Sequence, residues 1–146
     1  MNAPLYNTEI LRLAAAIPFA NRLVAPMGSV EKRSPVCGSR VTVDVNVDAE
    51  GRVTEIGMRV RACALGQASA SLMAAHAIGK QATDFAATHI ALADWLAGAE
   101  AAPDWPGLDI FLPARPHSAR HASIRLAFEA AAEAASLAAN RKGDGA

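Results

Sequence analysis

The sequence has few aromatic residues and few cysteines, so its core cannot depend on large rings or on a framework of disulfides. Aromatic residues make up 5% of the 146 residues, whereas hydrophobic residues as a group make up 52%. Because much of this hydrophobic fraction is alanine, the core must come from close packing of helices rather than from large side chains. The length is typical of a single compact domain.

The sequence also lacks an excess of charge and a long apolar run. Fourteen basic residues balance fourteen acidic ones, so no net charge favours nucleic acid or an anionic membrane as a partner. Charged or histidine residues interrupt the apolar stretches well before the roughly 20 residues that a membrane helix needs. The N-terminus shows no basic stretch followed by an apolar run, so we expect no secretory signal and a cytoplasmic location.

Two segments alternate apolar and polar residues with the period of a β-strand. These are "RVTVDVNV", which starts at Arg40, and "RVTEIGMRVRA", which starts at Arg52. Residues 48–51 between them form a turn with a glycine at its end, which predicts an antiparallel hairpin. We interpret residues 20–35 as a loop, from which the Leu23 or Val30 region supplies a third strand.

Helical periodicity and capping residues predict the remaining elements. The predicted helices are a short amphipathic one that starts near Asn7 and is disturbed at Pro18, a second over 64–78, a third over 84–97 and an alanine-rich one over 121–140. A proline-rich loop separates the last two, and residues 141–146 are expected to be a disordered tail. This order predicts an α+β fold, with a small antiparallel sheet packed against an N-terminal helix and a C-terminal group of helices, in one domain over 1–140.

The only cysteines, Cys37 and Cys63, flank the predicted hairpin. The first residues of one arm lie opposite the last residues of the other, so we expect the two thiols to meet at one end of the hairpin. Cys63 also precedes a helix, where free backbone N–H groups and the helix dipole stabilise a thiolate. Small residues after Cys63 leave room beside the sulfur for a cluster or a partner's loop. The alternative is that both cysteines are small buried hydrophobes and that the small residues only allow helices to pack.

A metal site at two cysteines needs at least one further ligand. The candidates are His76, His89, His117 and His121. The first two lie inside predicted helices, where we interpret them as surface or packing residues. His117 and His121 are four residues apart at the start of the last helix, a spacing that places two rings on one helix face. An ordinary solvated first turn is the alternative.

The segment "SPVCGSRVTVDVNVDAEGRVTEIGMRVRACALGQASASLM" resembles the NifU/IscU/SufU-type iron–sulfur cluster assembly scaffolds. The resemblance extends to "YNTEILRLA" and to "RHASIRLAFEA", which is similar to the family's Arg-x-x-Cys-x-x-Leu-x-Trp stretch. In that family three cysteines and an aspartate hold a nascent [2Fe–2S] cluster, or zinc in its place. The resemblance matches Cys37 and Cys63 to the first two cysteines. It places Ser39 at the aspartate and Ser123 at the third cysteine.

The resemblance implies a scaffold that is not itself an enzyme, with a cysteine desulfurase and apo iron–sulfur proteins as partners. The site that it implies consists of Cys37, Cys63 and His121, with Ser39, Ser123 and His117 as further candidates. Its cargo would be a [2Fe–2S] cluster or iron, with zinc as a substitute. Two alternatives remain open because serine hydroxyls are poor ligands for soft metals. The chain is then either a degenerate homologue that acts as an interaction module, or an acceptor of persulfide sulfur. The sequence does not indicate the oligomeric state.

Overall fold

The computed structural model describes residues 7–35 and 38–144, and the side chains of all but the last three of these. The elements are α1 (Thr8–Ala15), β1 (Gly28–Arg33), β2 (Arg40–Val47), β3 (Val53–Arg61), α2 (Ala64–Ala75), α3 (Ala82–Leu96) and α4 (His121–Asp144), with two 3-10 helices at Leu108–Ala114 and Ser118–Arg120. The predicted α+β fold is confirmed. Residues 1–6, Val36, Cys37 and 145–146 lie outside the described residues.

The three strands form one antiparallel sheet in the order β1-β2-β3. Residue pairs such as Arg40 with Arg61 and Val45 with Ile56 fix the register of the predicted hairpin, which is confirmed. The expected third strand also forms, around Val30, so the prediction of a loop is wrong for 28–33. The polar sequence of β1 does not by itself indicate a strand, and β1 becomes one because it pairs with β2.

The alanine-rich α4 packs against the inner face of the sheet and against α2 and α3. Val41, Val43 and Val45 of β2 are completely buried beneath it. At Gly28 the helix comes so close that a Cβ atom would collide with the backbone oxygen of Ala134. The expected close packing of small residues is therefore what joins helix to sheet.

The outer face of the sheet is covered by residues 16–27, here called the cover segment. The Phe19 carbonyl oxygen accepts a hydrogen bond of 2.9 Å from the Met58 N–H, and the backbone oxygen of Asn21 lies directly over Gly57. Beneath this segment Asp44 is buried, whereas Thr42 on the same outer face is buried next to Glu31, with 3.5 Å between Thr42 Oγ1 and Glu31 Oε1. The alternation along β2 predicts a half-buried strand, and this prediction is wrong at Thr42 and Asp44, because Glu31 lies next to the first and the cover segment lies over the second.

Asp44 ties the cover segment to the sheet. Its carboxylate is fully buried and accepts hydrogen bonds from Arg22 Nε (2.6 Å) and Nη2 (3.1 Å), from the Leu23 N–H (3.1 Å) and from Ser29 Oγ (2.6 Å). Burial raises the pKa of this carboxyl group, but the hydrogen bonds and the Arg22 charge outweigh burial and hold the pKa of Asp44 below its usual value. The ion pair is therefore maintained at neutral pH.

The helix ends differ from prediction at three places. Helix α2 ends at Ala75 rather than at residue 78, and Gly79 (φ 89°) instead donates its N–H to the Val53 carbonyl. Helix α3 begins two residues earlier than predicted. Helix α4 continues to Asp144, through residues predicted to be disordered, and Arg141 Nη1 donates to the backbone oxygen of Met27 at 3.1 Å. Among the described residues, no helix is both long and apolar enough to span a membrane.

The Asp44 network leads to a prediction about stability. We expect Asp44→Asn to lower the free energy of unfolding by about 2–4 kcal/mol at neutral pH, because it removes a buried charge that several donors satisfy. The folded pKa lies below the ordinary value, so the stabilisation is complete above that value and is lost as the pH falls through the folded pKa. Urea denaturation of both proteins at pH about 7 and about 3 measures this effect. A difference between the two proteins that does not shrink at the lower pH would contradict the account.

Candidate functional site at the hairpin end

Cys63 lies where the sheet ends and a helix begins. It lies two residues after the end of β3 and is the N-cap of α2, with extended backbone angles (φ −65°, ψ 170°). Its side chain makes no capping hydrogen bond, so the thiol is not used to close the helix end. Cys63 as a residue is half-buried, so part of it remains accessible. The predicted position of Cys63 at a helix start is confirmed.

The opposite arm of the hairpin brings Ser39 to the same end. Because Arg40 pairs with Arg61, the residues just outside this pair are Ser39 on one arm and Ala62 on the other. Gly38 next to it has φ 71°, a left-handed conformation that suits glycine, and its N–H donates to the Ser34 carbonyl at 3.1 Å. Cys37 lies outside the described residues, so its approach to Cys63 stays a prediction.

Ser123 completes the group from the first turn of α4. Its Oγ lies 2.8 Å from Ser39 Oγ and 3.4 Å from Cys63 Sγ, both within hydrogen-bonding distance. Both serines are nearly inaccessible, with exposed fractions of 3% for Ser39 and 1% for Ser123. Three of the residues that the resemblance singled out, Ser39, Cys63 and Ser123, therefore come together.

The small residues after Cys63 have a packing role. A Cβ atom at Gly66 would lie 2.9 Å from Ser123 Oγ and 2.8 Å from the Ala62 Cβ, so α4 already fills this space. One turn further along, Ser69 Oγ donates to the Ile124 carbonyl oxygen of α4. The interpretation that these residues leave room for a cluster is therefore wrong at Gly66, and the alternative of helix packing describes it.

The two C-terminal histidines do not share a helix face. His117 precedes a 3-10 turn over Ser118–Arg120 and is exposed, whereas His121 is the first residue of α4. This part of the prediction is wrong because the chain is not yet α-helical at His117. His121 Nε2 lies 2.9 Å from the Ala114 carbonyl oxygen and 3.0 Å from that of Arg115, so Nε2 acts as the hydrogen-bond donor to these oxygens.

The remaining histidines have surroundings that fit packing roles. His89 is half-buried, with Nε2 3.7 Å from Glu129 Oε2, and burial lowers its pKa below the ordinary value. His76 is exposed, and its ring lies nearly perpendicular to that of Trp105, with 6.3 Å between ring centroids. Among residues 7–35 and 38–144, no three side chains of His, Cys, Asp or Glu are grouped so that they could hold a metal ion.

Arginines next to the site were only partly foreseen. Alternation along β3 places Arg59 and Arg61 on one face of the strand, and strand pairing brings Arg40 and Arg33 to the same face. Sequence reasoning missed Arg33 because it did not establish the pairing of β1. Arg40 could have been placed from the predicted hairpin, in which it lies opposite Arg61.

The fold and this hairpin-end site define a class of protein, the small α+β domains in which a cysteine follows a β-hairpin at a helix start. A family model described as the NifU-like N-terminal domain matches residues 18–106, more than half of the chain. The crystal structure of a nitrogen-fixing NifU-like protein (N-terminal) from Brucella abortus is similar to this chain, with 36% sequence identity and a TM-score of 0.85. The match covers 93% of this chain and 95% of the Brucella abortus chain. The chain belongs to the NifU-like N-terminal domain family.

Two more distant structures share the fold. One is from Fervidobacterium islandicum AW-1 and is described as a proposed iron–sulfur cluster assembly scaffold protein for the SUF system. Its sequence is 19% identical, the match covers 90% of this chain and 96% of the Fervidobacterium chain, and the TM-score is 0.81. The other is a hypothetical protein with 21% identity, coverage of 88% and 94%, and a TM-score of 0.74. A search of curated proteins gave no match.

The packing at Gly66 gives a testable prediction. We expect Gly66→Ala to lower the free energy of unfolding by about 1–3 kcal/mol, because the added methyl group forces Ser123 or Ala62 to move. The same shift should change the rate at which iodoacetamide alkylates Cys63. Gln67→Ala, at the next residue of the helix, is the control. Unchanged stability and alkylation in Gly66→Ala would show that α2 and α4 are not in close contact here.

Proposed function

We propose that this chain is a scaffold for iron–sulfur cluster assembly, which receives sulfur and iron, holds a [2Fe–2S] cluster or a metal ion as cargo, and passes it to an acceptor protein. The observation that carries the proposal is the convergence of Cys63, Ser39 and Ser123 at the hairpin end. Membership of the NifU-like family and the 36%-identical Brucella abortus structure support it.

The chemistry of Cys63 fits such a role. A thiolate is the soft ligand that iron–sulfur clusters require, and Cys63 supplies a thiol at the start of α2. Partial exposure allows a donor or a recipient to reach the sulfur. Cys37 is the second thiolate of the proposal, because the hairpin register directs its arm to the same end.

The serines make the proposed site a weak one. Hydroxyl groups are poor ligands for iron at neutral pH, and Ser39 and Ser123 already hydrogen-bond to each other. The protein then supplies two strong ligands, and the remaining positions on the cargo are filled by small molecules or by a partner's side chains. His121 would contribute through Nδ1, since Nε2 faces two carbonyl oxygens. A short-lived complex of this kind suits transfer rather than storage.

In this proposal the protein is not an enzyme, since its thiols exchange cargo without turnover of a substrate. A cysteine desulfurase supplies the sulfur, and apo iron–sulfur proteins receive the cluster. Exchange between thiolates moves the cargo, so no further catalytic group is required of this chain.

A second candidate function is that of a sulfur acceptor, and the hydrogen bond between Ser123 Oγ and Cys63 Sγ favours it. The Cys63 thiolate would attack the outer sulfur of a desulfurase persulfide. The sulfur–sulfur bond of the donor breaks, the donor cysteine leaves as a thiolate, and Cys63 becomes the persulfide. The neighbouring hydroxyl can donate a hydrogen bond to the sulfur, and this step requires no metal ligand.

Iron and acid-labile sulfide, measured after anaerobic reconstitution with iron, cysteine and a desulfurase, test the proposal. We expect comparable amounts of both elements in the wild type, loss of both in Cys63→Ala and Cys37→Ala, and a further effect of His121→Ala only if its ring is a ligand. Ser136→Ala, an exposed serine on α4, is the control.

The outcomes separate the two functions. Persulfide sulfur on Cys63 without iron would support the acceptor and contradict the scaffold. Absence of iron, zinc and persulfide from the wild type would contradict both, and would leave a domain that acts only through protein contacts.

The serine positions provide a gain-of-function prediction. We expect the double variant Ser39→Asp, Ser123→Cys to retain a reconstituted cluster several-fold longer than the wild type, because a thiolate replaces a hydroxyl as the third ligand. The decay of visible absorbance after addition of a chelator measures retention. Equal decay rates in the two proteins, with both folded by circular dichroism, would contradict the assignment of these positions.

A further inference from the structure

Four arginines lie on the part of the outer sheet face that the cover segment leaves uncovered. Strand pairing aligns Arg33, Arg40 and Arg61 in one row across β1, β2 and β3. The adjacent row consists of Glu31, Thr42 and Arg59. Because residues paired across strands point to the same side, these side chains share one surface, here called the arginine face.

The charges on the arginine face are only partly neutralised within the chain. Glu31 lies 3.3 Å from Arg33 Nε and 3.9 Å from Arg40 Nε. Arg59 and Arg61 are exposed, and within the described ranges their side chains make neither a hydrogen bond nor an ion pair. Four arginines against one glutamate leave an excess of positive charge on one face of a chain whose net charge is zero.

A shallow hollow lies at the centre of this face. Its volume is about 50 Å³, and it is lined by Glu31, Arg40, Thr42, Arg59 and Arg61. The space suits one small planar anionic group such as a carboxylate, and guanidinium groups bind carboxylates through two parallel hydrogen bonds. The carboxylate of Glu31, from the chain itself, already contacts two of these arginines, Arg33 and Arg40.

The arginine face adjoins the cysteine site. Arg61 precedes Cys63 by two residues at the end of β3, and Arg40 follows Ser39 directly at the start of β2. A protein on the arginine face therefore borders the strand ends that carry Ser39 and Cys63, while Cys63 Sγ itself contacts Ser123 of α4 on the inner side of the sheet. The ends of β2 and β3 would therefore carry both the arginines that bind the partner and the residues next to the reacting thiol.

We infer that the arginine face is the docking surface for an acidic, Asp- or Glu-rich segment of the protein that exchanges sulfur or cluster with Cys63; the inference rests on the proposed function and names the class of partner. The patch is small and is interrupted by Glu31, whereas nucleic acids and anionic membranes are bound through more extended basic surfaces. A short acidic protein segment matches both its size and its carboxylate-binding geometry.

Fluorescence anisotropy with a labelled Glu/Asp peptide tests the docking surface. We expect the wild type to bind the peptide at low salt and to lose binding as salt rises. Arg59→Glu combined with Arg61→Glu should weaken binding by about tenfold or more, since the two exposed charges are reversed. The control combines Arg12→Glu with Arg52→Glu, two exposed arginines that are not part of this face, and changes the net charge equally.

The outcomes decide the inference. Equal loss of peptide binding in the two double variants would overturn it, since net charge alone would then explain the binding. Tighter binding of a DNA oligonucleotide or of phosphatidylserine vesicles through the same arginines would also overturn it. Absence of peptide binding by the wild type at low salt would do the same.

The cysteine variant separates this inference from the proposed function. Cys63→Ala should bind the peptide as the wild type does, because docking does not involve the thiol. Peptide binding that depends on Arg59 and Arg61, in a protein that takes up neither iron nor sulfur, would support the docking surface and contradict the scaffold function. In the opposite case, cluster uptake that is independent of the two arginines, with no peptide binding, would contradict the docking surface alone.

Discussion

The antiparallel register between β2 and β3 places Ser39 and Cys63 at the same end of the sheet, and much of the site depends on this pairing. The last residue of β3 is followed almost at once by α2, so the cysteine that ends the hairpin also begins a helix. A slip of one residue would turn the buried valines toward the cover segment and separate the paired arginines. Burial on both faces of β2 makes such a slip costly.

Two layers hold this register in place. On the inner face, α4 approaches β1 so closely that only glycine fits at position 28, and its first turn brings Ser123 to Cys63. On the outer face, Arg22 binds the buried carboxylate of Asp44 and keeps the cover segment on the sheet. The cover segment ends short of the arginine face, so the strand ends next to the cysteine remain available to a partner.

The elements that could be predicted from the sequence are those whose apolar and polar residues repeat with a clear period. Alternation along β2 and β3 was enough to predict the hairpin and its pairing, and the helix after Cys63 followed from its small, apolar composition. The α+β architecture was predicted from the order of these elements. Resemblance to a known family supplied Ser39 and Ser123, which no periodic pattern distinguishes from other serines.

The rest depended on contacts between distant residues. Nothing local in "GSVEKR" shows that β2 will pair with it, and nothing local in Asp44 shows that Arg22 will neutralise it. The spacing of His117 and His121 suggested a shared helix face, but the chain forms a 3-10 turn before α4 begins. The space beside Gly66 was interpreted as room for a cluster, because the approach of α4 could not be read from its own residues.

Native mass spectrometry under anaerobic conditions, after incubation of the wild type with iron, cysteine and a desulfurase, tests the central claim most directly. The account predicts a species heavier by one [2Fe–2S] cluster, which disappears when an apo iron–sulfur acceptor protein is added. A mass that never exceeds that of the protein with added sulfur atoms would contradict the scaffold function, and an unchanged mass would show that the hairpin-end site carries no cargo.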